Sequence, residues 1–113
     1  MIVIYHNPRC GKSRDCLAFI QNSNNDYKII KYLETPLTYI ELVEIIQILQ
    51  LKPIELIRKK EAVWIEKFKN ATLSDKQIIQ AMVDFPILIE RPIAVNGNKA
   101  IIARPFEKIQ TII

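Results

Sequence analysis

The chain is poor in the residues that build several whole classes of protein. Two cysteines in 113 residues make no disulfide framework, which fits a reducing cytoplasm. One histidine and two separated thiols make no metal site. No apolar run approaches the roughly 20 residues that span a bilayer. The N-terminus lacks a signal-peptide pattern, because Met1 enters a strand directly and the run from His6 to Arg9 interrupts any apolar core. There is no repeat, no low-complexity segment and no linker, and only two glycines. Net charge is small as well: sixteen Lys and Arg against twelve Asp and Glu give +4. That permits an anionic ligand and does not by itself argue for nucleic acid. What remains is an ordinary globular composition, half apolar and a quarter charged, sized for one domain over residues 1–113. Such a domain buries about two thirds of its chain surface.

Against that background Cys10 stands out, in the run His6-Asn7-Pro8-Arg9-Cys10-Gly11-Lys12-Ser13-Arg14. It follows a short apolar stretch and sits in a turn with Pro8 and Gly11, ahead of a helix that Ser13 opens. A cysteine on a strand-to-helix turn faces backbone N–H groups and the positive end of the helix dipole. That setting favours thiolate over thiol. Arg9, Lys12, Arg14 and a charged His6 would push the same way. A thiol of pKa ~8.5 is only about 3% thiolate at pH 7, and one at ~6.5 is about 75%. The lost basicity takes back roughly six- to tenfold in nucleophilicity, leaving a few-fold gain in attack and a better leaving group. Cys10 therefore reads as a nucleophilic or redox cysteine. Cys16 reads as the small buried hydrophobe that free cysteine commonly is. Six helical residues separate the two by about 9 Å of rise and some 240° of rotation, beyond what a disulfide tolerates.

The apolar pattern predicts a strand over 1–5 and a helix over 13–22 with Leu17, Ala18 and Ile20 inward. A turn cluster over 22–26 and a second strand over 27–33 follow, before Pro36 breaks the chain. Thr38-Tyr39-Ile40-Glu41 and Ser74-Asp75-Lys76-Gln77 are capping boxes. Leu42, Ile45, Ile46 and Leu49 follow the first at helical spacing; Ile78, Ala81, Met82 and Phe85 follow the second, which Pro86 ends. A short helix is expected after Pro53, running to about Arg58. Residues 93–103 form a hairpin about Asn96-Gly97, and Pro105 opens a closing helix. Trp64, Phe68 and Phe85 read as core or lid packing. Two strands joined by a helix pair in parallel with a right-handed crossover. The expected fold is thus α/β and thioredoxin-like: a small mixed four-stranded sheet flanked by helices, with a helical insertion between strands 2 and 3.

Further motifs follow the first one in order: Tyr32-Leu33-Glu34-x-Pro36, Glu41-Leu42, Leu56-Ile57-Arg58-Lys59, Pro86-Ile87-Leu88-Ile89-x-Arg91-Pro92-Ile93 and Arg104-Pro105. With His6-Asn7-Pro8-x-Cys10-x-x-Ser13-Arg14, this series resembles the ArsC family of glutathione/glutaredoxin-coupled arsenate reductases. The resemblance implies an oxidoreductase that reduces arsenate to arsenite, with Cys10 as the single catalytic cysteine. It implies that Arg58, Arg91 and Arg104 surround the oxyanion, that His6 and Ser13 tune the thiol, and that Pro92 is a cis proline beside the cysteine. Glutathione enters as co-substrate and glutaredoxin as protein partner. No bound cofactor, nucleic acid or membrane is implied, and the chain is expected as a cytoplasmic monomer serving arsenic detoxification.

Charge and geometry agree with that set. Arsenate at neutral pH is a tetrahedral anion, and arginine's planar fork stays charged and can hold two oxygens at once. Three such forks near a thiolate would bind the anion and steady charge that develops during attack. No Cys-x5-Arg loop is present, and two cysteines are too few for the relay of the thioredoxin-coupled reductases. Ser13 stands where a Cys-x-x-Cys protein has its second thiol, so an external thiol is required. Two other readings share these residues. One is another glutathione-dependent thiol oxidoreductase on the same scaffold. The other is a Spx-type transcriptional regulator binding RNA polymerase, whose usual Cys-x-x-Cys switch Ser13 removes. The chain also ends nine residues after Arg104, earlier than the family's well-known reductases.

Overall fold

The computed structural model describes all 113 residues and resolves them into two compact units. One joins Met1–Thr35 to Arg91–Ile113; the other is the intervening Pro36–Glu90. The second is the helical insertion expected between strands 2 and 3.

The first unit is built on strands β1 (Ile2–Tyr5), β2 (Tyr27–Ile30), β3 (Ile93–Asn96) and β4 (Lys99–Ile102), ordered β2-β1-β3-β4. Helix α1 (Gly11–Gln21) links β1 to β2, which pair in parallel with Ile2 opposite Tyr27. β1 runs antiparallel to β3, and β3 to β4, so the sheet is mixed as expected. Alternation along β1 puts Ile2 and Ile4 on one face, where they pack with Cys16 and Ile20 of α1, Ala94, Ala103, Ile109 and Ile112. Phe19 of α1 meets Phe106 of the closing 3₁₀ turn (Phe106–Thr111), ring centres 5.5 Å apart. Asn96 Nδ2 donates to the Ile112 carbonyl at 2.6 Å and fastens that turn to the hairpin.

Several boundaries in this unit differ from the sequence expectation. α1 starts at Gly11, two residues early, with Cys10 as its N-cap. Ser13 cannot open the helix because its hydroxyl is used by Asn7 and His6. The buried stripe of α1 is accordingly Ser13, Cys16 and Ile20, and Ala18 faces outward. β2 ends at Ile30, not at residue 33, because the Lys31 carbonyl accepts from Glu34 and Thr35 and closes a turn. The hairpin loop is Gly97-Asn98, since Asn96 pairs with Lys99. Gly97 has φ +63°, the left-handed first position that a glycine-led two-residue loop needs. The Arg91–Pro92 and Arg104–Pro105 peptides are both cis.

The second unit contains α2 (Tyr39–Leu49), α3 (Ala62–Lys67) and α4 (Asp75–Asp84), with 3₁₀ turns at Pro53–Leu56 and Pro86–Leu88. Both capping boxes form: Thr38 with Glu41 opens α2, and Ser74 with Gln77 opens α4. α2 buries Leu42, Ile45 and Ile46, and α4 buries Ile78, Ile79, Ala81 and Met82, the two packing together. An antiparallel bridge between Ile57 and Ile89 ties the two 3₁₀ segments. That bridge turns the chain extended at Ile57, so the helix expected up to Arg58 stops at Leu56. α3 went unforeseen because Glu61 gives it no side-chain cap and only Trp64 is buried. Trp64, Phe68 and Phe85 stack in series, with centroid spacings of 5.5 and 6.0 Å. No helix is long and apolar enough to cross a membrane.

Ser74→Ala should remove the acceptor for the Gln77 N–H, bonded at 3.2 Å, and cost about 1 kcal/mol. The measurement is the urea midpoint at unchanged slope; an unaltered midpoint would show the box to be unimportant.

Candidate active site

β1, β2, β3 and β4 place Tyr5, Ile30, Ile93 and Ile102 in one row at one end of the sheet. The segments continuing from that row are the Cys10 loop, the Lys31 turn, Arg91-Pro92 and Ala103-Arg104. Ligands of open α/β sheets bind outside the carboxyl ends of parallel strands, and this is that end. The Ala103 N–H donates to the Pro92 carbonyl at 2.9 Å, extending the β3–β4 pairing by one step before Arg104 turns back to the Ile102 carbonyl at 2.9 Å.

The Cys10 loop is held from within. The Cys10 N–H donates to the Asn7 carbonyl at 3.0 Å, closing a turn, and the Arg9 N–H donates to Asn7 Oδ1 at 3.0 Å. The Asn7 N–H donates to Ser13 Oγ at 3.0 Å, and the same hydroxyl contacts His6 Nδ1 at 2.6 Å. His6, Asn7 and Ser13 are all buried. Asn7 is a structural residue of the loop that the motif alone does not single out. Its position before proline and a turn, where Asn bonds the backbone two residues on, was the available signal.

Cys10 is partly exposed at the N-cap of α1. Burial alone pushes its thiol up. The backbone N–H of Ser13, a hydrogen bond from the Arg91 side chain, the backbone N–H of Lys12 and the charge of Arg91 outweigh it and hold the thiol below its ordinary value. The local cations expected to do this have other places. Arg9 is exposed, Arg14 donates to the Pro8 carbonyl at 3.0 Å, and Lys12 acts through its backbone. His6 is pushed away from the cationic form as well. Burial first, then the charges of Lys31 and Arg14, lower its pKa against an opposing hydrogen bond to the Ser13 backbone. With the neutral ring favoured, the tautomer protonated at Nε2 has Nδ1 accepting a hydrogen bond from the Ser13 hydroxyl, so His6 orients the serine.

The structure therefore brings Cys10, His6, Ser13, Arg91 and Pro92 together, with Arg104 on the same sheet end. Arg91 is buried at 8% exposure and acts on the thiol directly, a contact with no local sign in the sequence. Arg58 belongs to the helical unit, where Nε meets Glu61 at 3.1 Å and Nη1 meets Glu90 at 3.7 Å. Cys16 is fully buried, and burial pushes its thiol up to about 11.

Alkylation should separate the two thiols. The lowered Cys10 pKa means that its thiolate fraction at pH 7 exceeds that of a free cysteine, whereas Cys16 stays protonated and shielded. Iodoacetamide at pH 6–7 should label Cys10 alone, and Arg91→Ala should move the labelling midpoint to higher pH by removing a donor and a cation. Faster labelling of Cys16, or an unmoved midpoint, would contradict this assignment.

The ArsC family model matches residues 5–112. An arsenate reductase of Yersinia enterocolitica is 42% identical over 113 residues, covering 99% of this chain and 80% of that protein. An Escherichia coli K12 protein named uncharacterized protein YfgD is 41% identical, covering 99% of this chain and 96% of the other. The solved structure of an arsenate reductase from Vibrio cholerae superposes with a TM-score of 0.94 at 40% identity, over 99% of this chain and 97% of that one. Its fold is theirs, a thioredoxin-like mixed sheet with a helical insertion, and by sequence and structure alike the chain belongs to the ArsC family.

Proposed function

We propose that the chain is a cytoplasmic arsenate reductase, with Cys10 as its single catalytic cysteine and glutathione and glutaredoxin as electron donors. The observation that carries this reading is the Cys10 sulfur, held toward thiolate at a helix N-cap by the backbone N–H of Ser13 and the buried Arg91 guanidinium. Relatives named arsenate reductase support the substrate.

The Cys10 thiolate attacks arsenic, forming an As–S bond as an As–O bond breaks; the leaving oxygen takes protons and departs as water. Arsenic stays pentavalent. Glutathione condenses on the same arsenic through its sulfur, releasing a second water. The glutaredoxin thiolate then attacks the glutathione sulfur. The bond from that sulfur to arsenic breaks with its electron pair left on arsenic, giving As(III) and a glutathione–glutaredoxin disulfide. Water displaces Cys10 from As(III), and arsenite leaves. Two thiols are oxidised and one arsenic gains two electrons, so Cys10 returns unchanged.

In this scheme Arg91 serves the sulfur and, with Arg104, the oxyanion, which keeps its negative charge into the adduct. Arg58 carries its part by resemblance alone. Ser13 and His6 position the loop.

The test is arsenate-dependent NADPH oxidation coupled through glutathione, glutaredoxin and glutathione reductase. Cys10→Ser should abolish turnover and Cys16→Ser should keep most of it. Arg91→Ala and Arg104→Ala should each raise the arsenate KM about ten- to a hundredfold, the worth of a charge-assisted hydrogen bond of roughly 1.5–3 kcal/mol. Lysine should rescue in part, supplying charge without the fork. Turnover surviving in Cys10→Ser, or arginine variants as active as the parent, would favour a different thiol oxidoreductase on this scaffold.

A further inference from the structure

Beside the Cys10 loop lies a cavity of about 470 Å³, within the size range of small-molecule sites. The loop supplies His6, Pro8 and Arg9 as one wall, and the turn after β2 supplies Lys31, Leu33 and Glu34 as the other. Pro8 and Leu33 give an apolar surface, and Leu33 is 39% exposed. Three formal charges ring it: two cations, Arg9 and Lys31, and one carboxylate, Glu34. None of these three charges is taken up by an ion pair.

Resting on the function proposed above, we infer that this cavity is the docking subsite of the thiol co-substrate, and that it selects a small peptide thiol bearing two carboxylates and one ammonium group. Glutathione has this pattern, which mirrors the two cations and one carboxylate of the lining. Reach agrees. A tripeptide extends about 10 Å with its cysteine in the middle. The turn closed between Asn7 and Cys10 keeps the lining loop within about 7 Å of the Cys10 backbone. A peptide laid between Arg9 and Lys31 therefore presents its central sulfur to whatever Cys10 holds. The site also has a built-in reporter. His6, the chain's single histidine, lines the cavity, and burial, then the Lys31 charge, then Arg14 lower its pKa. An anion bound at Lys31 offsets that charge.

S-methylglutathione, which cannot form a disulfide, is the probe. Titrated into the intact protein, it should shift amides of residues 6–9 and 31–34 and move the His6 ring midpoint upward. The diethyl ester of the same compound, lacking both carboxylates, should do neither. Lys31→Glu, at an exposed position, should abolish the response while leaving the remaining amide spectrum in place. In the coupled assay, Arg9→Ala and Lys31→Ala should each raise the glutathione KM about tenfold with a smaller change in kcat. Absence of amide shifts at saturating probe, shifts confined to another region, or equal binding of the ester would overturn the subsite. Glutathione-dependent turnover with an unmoved glutathione KM in both variants would overturn the subsite and spare the function. Absence of any arsenate turnover would overturn the function, and the probe titration would then decide the subsite alone.

Discussion

A guanidinium that cannot lose its proton is tolerated in a protein interior only beside groups that accept its hydrogen bonds and charge. Arg91, at 8% exposure, has the Cys10 sulfur among those groups. The benefit is mutual, because the same contact that offsets the buried cation favours thiolate over thiol. It also has a sign in pH. A thiol whose folded pKa lies below its unfolded value stabilises the fold fully above the unfolded pKa. That contribution is lost as pH falls through the folded pKa. Reactivity and stability at this end of the sheet thus rest on one protonation state.

The contact depends on topology rather than on neighbouring sequence. β1 must be central, with β2 parallel on one side and β3 antiparallel on the other, for the end of β1 and the start of β3 to coincide. Given that order, Tyr5 falls opposite Ile93, and the loops beyond each carry Cys10 and Arg91. The helical insertion occupies the chain between β2 and β3 without altering that register. The buried Ile2, Ile4, Cys16, Ile20 and Ala94 fix the face on which α1 packs, and so the point at which its N-terminus meets the loop. A one-residue slip of β1 would turn Ile2 and Ile4 to the other face.

Features written in local hydrogen-bond chemistry were legible in the sequence. Thr38 with Glu41 and Ser74 with Gln77 form their boxes as read, because each partner lies within four residues. The hairpin was legible within one residue, through Gly97. Ser13 shows where such reading stops. Locally it is a helix cap; in the fold its hydroxyl serves Asn7 and His6, and Cys10 takes the cap position. α3 shows the same limit from the other side, a six-residue helix with no cap, anchored by Trp64. Cys10 was legible as a thiol on a helix-opening turn, yet the cation beside it was not. Proximity in sequence pointed to Arg9, Lys12 and Arg14, and the fold instead delivers Arg91 from beyond the insertion. The resemblance named Arg91 as a site residue but gave it to the anion, not to the sulfur.

Ser13 also determines what kind of chemistry the loop can support. A second thiol at that position could attack a sulfur or arsenic bound to Cys10 and finish a reaction within one chain. The serine that replaces it is fully buried and held by two hydrogen bonds, so it acts as a strut for the loop. The other thiol, Cys16, is fully buried, with its pKa pushed up to about 11, and is far from thiolate at neutral pH. Neither residue can resolve an adduct on Cys10. In the mechanism proposed above, resolution comes from a sulfur outside the chain, and that sulfur needs a place to dock that leaves the Arg91 side of Cys10 to the oxyanion. The Cys10 loop has two flanks. Arg91 and Pro92 approach from β3, and the turn of Lys31 and Glu34 approaches from β2 on the other side of β1. On the proposed assignments, an anion on the first flank and a peptide thiol on the second would meet at one sulfur without competing for the same cations.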